Sequence, residues 1–340
     1  MSEIISFEDA LRLVGDPTKI NLLMGNGFSR ALRNDIFSYD AILNNADFSR
    51  LSRNARRSFD LLQTTDFEFV IQSLRNAAVL IELYSNATHR LANRLRRDAE
   101  GLKEVLVATI ARNHPDLPGG ISTDAYEHCK RFLSHFNHLF TVNYDLLLYW
   151  TLMQSEIQPQ VNCNDGFRTP ENGPTDYVAW EPEKGYEQNV HYLHGALHLF
   201  DAGVEIQKYT WVNVGKPLIQ QIREALERNY FPLFVSEGNS DQKYTKIQHS
   251  AYLSKGFRSL VNTPGTLFTY GLSFSESDNH IVRSIEKGKF SALAVSIYGD
   301  PNSPTNSAIM QKTTAMAARR SSRKPLAVIF YDAASAQVWR

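Results

Sequence analysis

Short apolar runs that stop abruptly at glycine, asparagine or histidine constrain this chain more than any other feature. Ile20 to Met24 leads into Gly25-Asn26-Gly27-Phe28-Ser29, Leu139 to Val142 into Asn143-Tyr144-Asp145, Val190 to Leu193 into His194-Gly195, and Leu267 to Tyr270 into Gly271-Leu272-Ser273. Runs this short and this continuously apolar suit strands covered by helices on both faces, the habit of parallel sheets. In an open parallel sheet a ligand sits outside the carboxyl ends of the strands, so segments remote in sequence meet there if each closes its own strand. The four endings are expected to face one crevice.

Helical periods separate the runs. Ser6 is placed to cap a helix reaching Val14, before the strand that begins at Ile20. Residues 35–120 depart from the strand–helix alternation. Phe67, Val70, Ile71 and Leu74 recur at helical spacing, as do Leu91, Leu95, Leu102, Val105 and Leu106, which predicts two or three amphipathic helices. His114-Pro115-Asp116-Leu117-Pro118-Gly119-Gly120 breaks helix and closes this insertion. Beyond it the patterns predict helices over 124–134, from Asp145 through Leu152, and over 217–227 and 244–260. An irregular surface region is expected from Gln158 to Gly185, and further strands at 233–235, 293–298 and 326–330. The expected architecture is a single α/β domain over 1–340: a doubly wound, mostly parallel, Rossmann-like sheet with a helical subdomain inserted at 35–120.

Composition narrows the function classes. The 340 residues are 43% hydrophobic, ordinary for a globular protein, and 36 basic residues balance 36 acidic ones. A neutral chain offers no long-range attraction to phosphate polymers. The basic clusters Arg53, Arg56 and Arg57, then Arg94, Arg96 and Arg97, then Arg319, Arg320, Arg323 and Lys324 read as solvated faces or subunit contacts, so no direct nucleic-acid binding is expected. No apolar stretch is long enough to span a bilayer, and Met1 to Ile5 lacks the basic start of a secretory signal, so a cytoplasmic protein without a membrane partner is expected. Two cysteines, Cys129 and Cys163, cannot build a four-cysteine zinc site.

Each ending has a chemical and a plain reading. Strand, Gly25-Asn26-Gly27-Phe28-Ser29, then helix can cradle a pyrophosphate, because glycine admits close backbone approach and a helix N-terminus presents N–H groups; it can equally be a tight turn. Arg30 stands where the dehydrogenase fingerprint has its third glycine, which argues against hydride transfer. Asn143 brings a donor and an acceptor to a strand end, although it and Asp145 also suit capping of the next helix. His194 suits proton transfer near neutral pH or a place in the core, and Gly195 leaves space beside its ring. Gly271 and Ser273, with Asp278 a turn later, can line an adenosine pocket or start a helix. Val235-Ser236-Glu237-Gly238, followed by Lys243, is a similar loop of less legible purpose.

The order of these segments, a glycine-rich loop after the first strand, Thr141-Val142-Asn143-Tyr144-Asp145, Leu193-His194-Gly195 and a late Gly271-Leu272-Ser273, resembles the sirtuin-like family of NAD-consuming enzymes. The likeness covers Asn21 to about Tyr298, and Phe37-Ser38-Tyr39 and Val235-Ser236-Glu237-Gly238 bring it nearest to a bacterial branch beside the antiphage, abortive-infection members. It departs from the protein deacylases, which carry a four-cysteine zinc module and a Gly-Ile-Pro-Asp-Phe-Arg loop; here the first loop continues Arg30-Ala31-Leu32-Arg33. The resemblance implies NAD as substrate, hydrolysed to ADP-ribose and nicotinamide without a metal, in antiphage defence by NAD depletion. It assigns His194 as general base, Asn143 to the ribose or attacking water and Asp145 to the nicotinamide amide or to Asn143. Gly25, Gly27 and Ser29 would bind the pyrophosphate, Gly271 and Ser273 would lie on the adenosine side, and Asn26 and Thr141 would also contact the cofactor. It further implies a homo-oligomer or assembly with a hexameric ATPase or other defence partner. The alternatives are an NAD-dependent deacylase, an ADP-ribosyl transferase, or a non-catalytic nucleotide-binding subunit of a defence complex.

Overall fold

The computed structural model describes residues 3–14, 16–84, 89–170, 176–182, 188–210, 215–236 and 240–340. Its centre is a seven-stranded sheet. In chain order the strands are β1 (Ile4–Ile5), β2 (Ile20–Met24), β3 (His138–Thr141), β4 (Phe167–Arg168), β5 (Tyr177–Trp180), β6 (Val190–Tyr192), β7 (Leu199–Asp201), β8 (Ile206–Tyr209), β9 (Gly265–Tyr270), β10 (Phe290–Ile297) and β11 (Ala327–Asp332). The main sheet runs β1-β11-β10-β9-β2-β3-β6, and every pairing in it is parallel. The chain winds from β2 outward through β3 to β6, then returns to β9 beside β2 and winds the other way. That reversal between β2 and β9 is a topological switch point, where an open α/β sheet leaves a crevice.

Register decides which residues border the crevice. Met24 of β2 lies opposite Thr141 of β3 and Tyr270 of β9, and Thr141 lies opposite Tyr192 of β6. Gly25, Asn143, His194 and Gly271 follow their strands by one or two residues, so they emerge at one level. Buried strand residues explain the alignment: all five of β2 are buried, and Leu139, Phe140, Leu267 and Phe268 are wholly enclosed. A slip by one residue would turn each of these side chains to the opposite face.

Among the described residues, four helices, Tyr39–Asn45, Arg53–Leu61, Phe67–Tyr84 and His89–Asn113, occupy the stretch expected to hold two or three. The last two pack lengthwise, and Phe67 with Leu106 and Ile110 reach the crevice. Pro118–Gly120 ends the insertion as a single 3-10 turn.

Three expectations are corrected. The region 158–185, read as irregular, contributes β4 and β5 to a separate antiparallel sheet of order β4-β5-β8-β7. Its strands are two to four residues long, too short for an alternating pattern to register, and its fit comes from packing: Phe200 stacks on Tyr209 and Tyr230, and a buried ion pair joins Lys208 to Asp165. Residues 233–235 form no sheet strand; Phe234 makes one antiparallel bridge to Gly195. The helix expected over 244–260 is two, Ser240–His249 and Ala251–Asn262, because the Ser250 side chain accepts from Leu253 N–H and restarts the helix. Glu237 and Gly238 of the fifth loop lie outside the described residues. Among the described residues no helix is long and apolar enough to cross a membrane.

His114, His191, His194, His198 and His280 are buried. Burial disfavours their charged forms, holding His114 and His280 down to about 4 and His191 to about 3. Below the ordinary value of 6.5 the unfolded chain therefore binds protons that the native chain refuses, and stability falls with pH. Urea unfolding should show a loss of about 1–2 kcal/mol for each of these three imidazoles between pH 7 and pH 5. An unchanged midpoint across that range would contradict their neutral burial.

Candidate functional site

The two loops at the switch point touch. Gly27 N–H donates to the Gly271 carbonyl at 2.9 Å, and Gly25 N–H to the Tyr270 carbonyl at 2.9 Å. A Cβ at Gly27 would stand 2.4 Å from Gly271 Cα, and Gly271 has a φ of +65°, so both positions need glycine for loop contact. Two of the N–H groups at the start of helix Gly27–Phe37 are thereby spent, since Phe28 N–H also donates to the Gly25 carbonyl. Gly195 has a similar cause. Its φ is +80°, and a Cβ there would meet the Leu233 carbonyl at 1.9 Å, so backbone fills the space expected beside the imidazole.

A cavity of about 830 Å³ opens over these loops. Asn26, Gly27, Asn143, Asp145, His194, Gly271 and Ser273 all line it. The imidazole and the carboxamide, from β6 and β3, thus face one space. Gly25, Ser29 and Thr141 lie outside the lining. Ser29 and Thr141 are buried beneath it, and Thr141 Oγ1 accepts from Asn143 N–H at 3.0 Å.

Ser29 connects two of the sequence-predicted residues. Asn143 Nδ2 donates to Ser29 Oγ at 3.0 Å, and Ser29 Oγ donates to Asp145 Oδ2 at 2.5 Å. Asp145 Oδ1 accepts from Leu147 N–H at 2.9 Å, so the carboxyl also starts the following helix. Burial raises the Asp145 pKa, while the Ser29 and Leu147 hydrogen bonds pull it back. Asp145 therefore fixes Asn143 through Ser29, and the carboxamide keeps its Oδ1 and one N–H for the cavity. His114 supports the same turn from the insertion: its Nε2 accepts from Leu146 N–H at 3.1 Å.

A charged network closes the His194 end. Lys243 is wholly buried and its Nζ reaches Glu68 Oε2 at 2.5 Å and Asp278 Oδ1 at 3.4 Å. The Tyr144 hydroxyl is shared between the Val235 carbonyl at 2.7 Å and Glu68 Oε1 at 3.1 Å. Despite burial, Lys243 and the two imidazoles hold Asp278 down to about 2, whereas burial raises Glu68. Glu68 and Asp278 line the cavity and Lys243 stands behind them, so this end presents carboxylate. Arg30 lines the cavity near the glycine loop. His194 Nε2 meets His280 Nε2 at 2.8 Å.

The sequence reading missed Glu68, His280 and His114. Glu68 sits in a helical period where a charge reads as surface, and His280 follows Asp278 in a segment read as a helix start. His114 was absorbed into the turn that ends the insertion. The domain of unknown function DUF4917 matches residues 22–339. The chain belongs to that family. The cavity lining from Asn26 to Trp339 falls within the DUF4917 domain, and Arg340 stands one residue beyond it. No curated protein matches the chain.

Ser29→Ala tests the buried connection. It strips a partner from both Asp145 and Asn143, and a buried polar group left unmatched costs about 1–3 kcal/mol. Denaturant titration should show that loss with an unchanged slope; a loss below about 0.5 kcal/mol would separate Ser29 from the support of Asn143.

Proposed function

We propose that the chain is an NAD+ glycohydrolase that cleaves NAD to nicotinamide and ADP-ribose. The observation that carries this reading is the placement of Asn143 and His194 on one cavity at the switch point of a parallel sheet. Crevices of this kind accept dinucleotides, and about 830 Å³ falls in the usual range for ligand pockets.

The charges of the cavity support the same chemistry. Breaking the bond between ribose C1′ and the nicotinamide nitrogen sends the bonding pair to that nitrogen, neutralising the pyridinium and building positive charge on the sugar. Carboxylates of Glu68 and Asp278 at the His194 end suit first the cationic ring and then the cationic sugar. Arg30, beside the glycine loop, suits the pyrophosphate. Ser273, Ser296 and Asn306 offer polar atoms for the adenosine half.

Within this reading His194 is the general base and takes a proton from a ribose hydroxyl or from the attacking water. Its depressed pKa keeps the imidazole neutral, as a base must be. Asn143, held by Ser29, orients the ribose or the water with its free carboxamide groups. Water oxygen bonds to C1′, nicotinamide leaves, and one proton is released. NAD depletion in antiphage defence, by a homo-oligomer or with a hexameric ATPase, is the setting that the sirtuin-like resemblance implies for this activity.

Purified protein incubated with NAD should release nicotinamide and free ADP-ribose. His194→Ala and Asn143→Ala should each lower turnover by roughly 10²-fold in protein that still melts cooperatively. Equal turnover in all three proteins would remove both residues from the mechanism. Absence of both product and NAD-induced thermal stabilisation in the wild type would overturn the reading.

A further inference from the structure

His194, Asp278 and His280 bring their ligating atoms within 4.8 Å of one another, a grouping that suits either a metal ion or a proton-sharing pair. Distance separates the two. Imidazole nitrogens bound to one tetrahedral zinc at about 2.0–2.1 Å stand roughly 3.3–3.4 Å apart. Here the two Nε2 atoms are 2.8 Å apart, the length of an N–H···N hydrogen bond, and the Lys243 ammonium already occupies Asp278 Oδ1.

We propose that His280 is the proton-sharing partner of His194, so that the two imidazoles, with Asp278 beside them, form the unit that takes up and holds the proton released in the reaction. The proposal rests on the glycohydrolase reading for the identity of the proton's source. A neutral imidazole has one N–H and one bare nitrogen, and a contact between two Nε2 atoms needs one hydrogen. His280 Nδ1 stands 3.4 Å from Ser240 Oγ, which also accepts from Arg283 and has a lone pair for the Nδ1 proton, and the Ser277 backbone favours the protonated ring. With Nε2 turned to His194, the proton of His280 belongs on Nδ1. His280 Nε2 is then the acceptor, His194 Nε2 the donor, and the basic lone pair of His194 lies on Nδ1. Among the described residues no hydrogen bond engages that Nδ1.

The transfer balances without any other reactant. An N–H bond forms at His194 Nδ1, one breaks at His194 Nε2 and one forms at His280 Nε2. His280 ends as an imidazolium, which later loses its proton to solvent. Asp278 favours that cation, while the Lys243 ammonium and the Arg283 guanidinium oppose it. Glu68 lies beyond Lys243, Tyr144 stacks beside His194 with centroids 6.4 Å apart, and Phe257 covers His280 at 5.6 Å. His280 does not line the cavity, so it acts through His194 and is a positioning residue.

Two measurements on the full chain test the pair. In wild type labelled with nitrogen-15 at histidine, the ring spectra should show His194 protonated at Nε2 and His280 at Nδ1, with the two rings sharing one added proton on acidification. This readout is independent of turnover, so an inactive wild type would fail the glycohydrolase reading and leave the pair to the spectra. The reverse tautomers, or independent titration of the two rings, would overturn the proposal. His280→Gln should lower kcat for NAD by roughly 10²-fold with KM within about 2-fold of wild type. In His280→Ala, added imidazoles should restore turnover in proportion to their basicity, which a packing role would not produce. Wild-type kcat in His280→Gln, or rescue indifferent to basicity, would overturn the pair. So would one equivalent of tightly held zinc required for activity.

Discussion

The common register of β2, β3, β6 and β9 is the constraint on which the rest of the molecule depends. Hydrogen bonds in the parallel ladder hold Met24, Thr141, Tyr192 and Tyr270 level, and apolar burial on both faces forbids slippage. Four segments separated by long stretches of chain consequently deliver their endings to one rim. The contact between Gly27 and Gly271 then joins the two central loops so closely that no side chain fits between them. Glycine at these positions serves that loop contact first, and Gly27 and Gly271 reach the cavity as well.

Support for the rim comes from both sides of the sheet and from the insertion. Asn143 is held by Ser29 and Asp145 from below, and the turn that carries it is held by His114 through Leu146. Glu68 arrives from the inserted helix Phe67–Tyr84 to meet Lys243 and Tyr144. The insertion therefore adds a wall and a charge to the cavity. A buried ammonium flanked by two carboxylates is tolerated because each charge has a partner within reach, whereas removal of one partner would leave the others exposed to the full desolvation cost.

The sheet was legible in the sequence because strands covered on both faces leave continuous apolar runs, and Ile20 to Met24 or Leu267 to Tyr270 are long enough to read. The small antiparallel sheet was not, because a strand such as Phe167–Arg168 has too few residues to show alternation and is fixed by distant aromatic partners. Asn143 and His194 were legible as strand endings. Their supports were less so: Ser29 reads as a phosphate donor until Asp145 and Asn143 are seen to occupy its hydroxyl. His280 and Glu68 gave no local signal, since a histidine early in a helix and a glutamate on an amphipathic helix are common surface choices. Only tertiary packing brings Glu68 to the cavity and His280 to His194. Gly195 carried a signal with another cause, the close approach of Leu233.

The central claim is that one dinucleotide lies across the switch point with its nicotinamide ribose between the imidazole of β6 and the carboxamide of β3. A crystal structure of the protein with ADP-ribose tests this most directly. The account predicts the pyrophosphate near Gly27 and Arg30 and the terminal ribose within hydrogen-bond reach of both His194 and Asn143. Density for ADP-ribose in the reverse orientation, or bound away from this cavity, would contradict it.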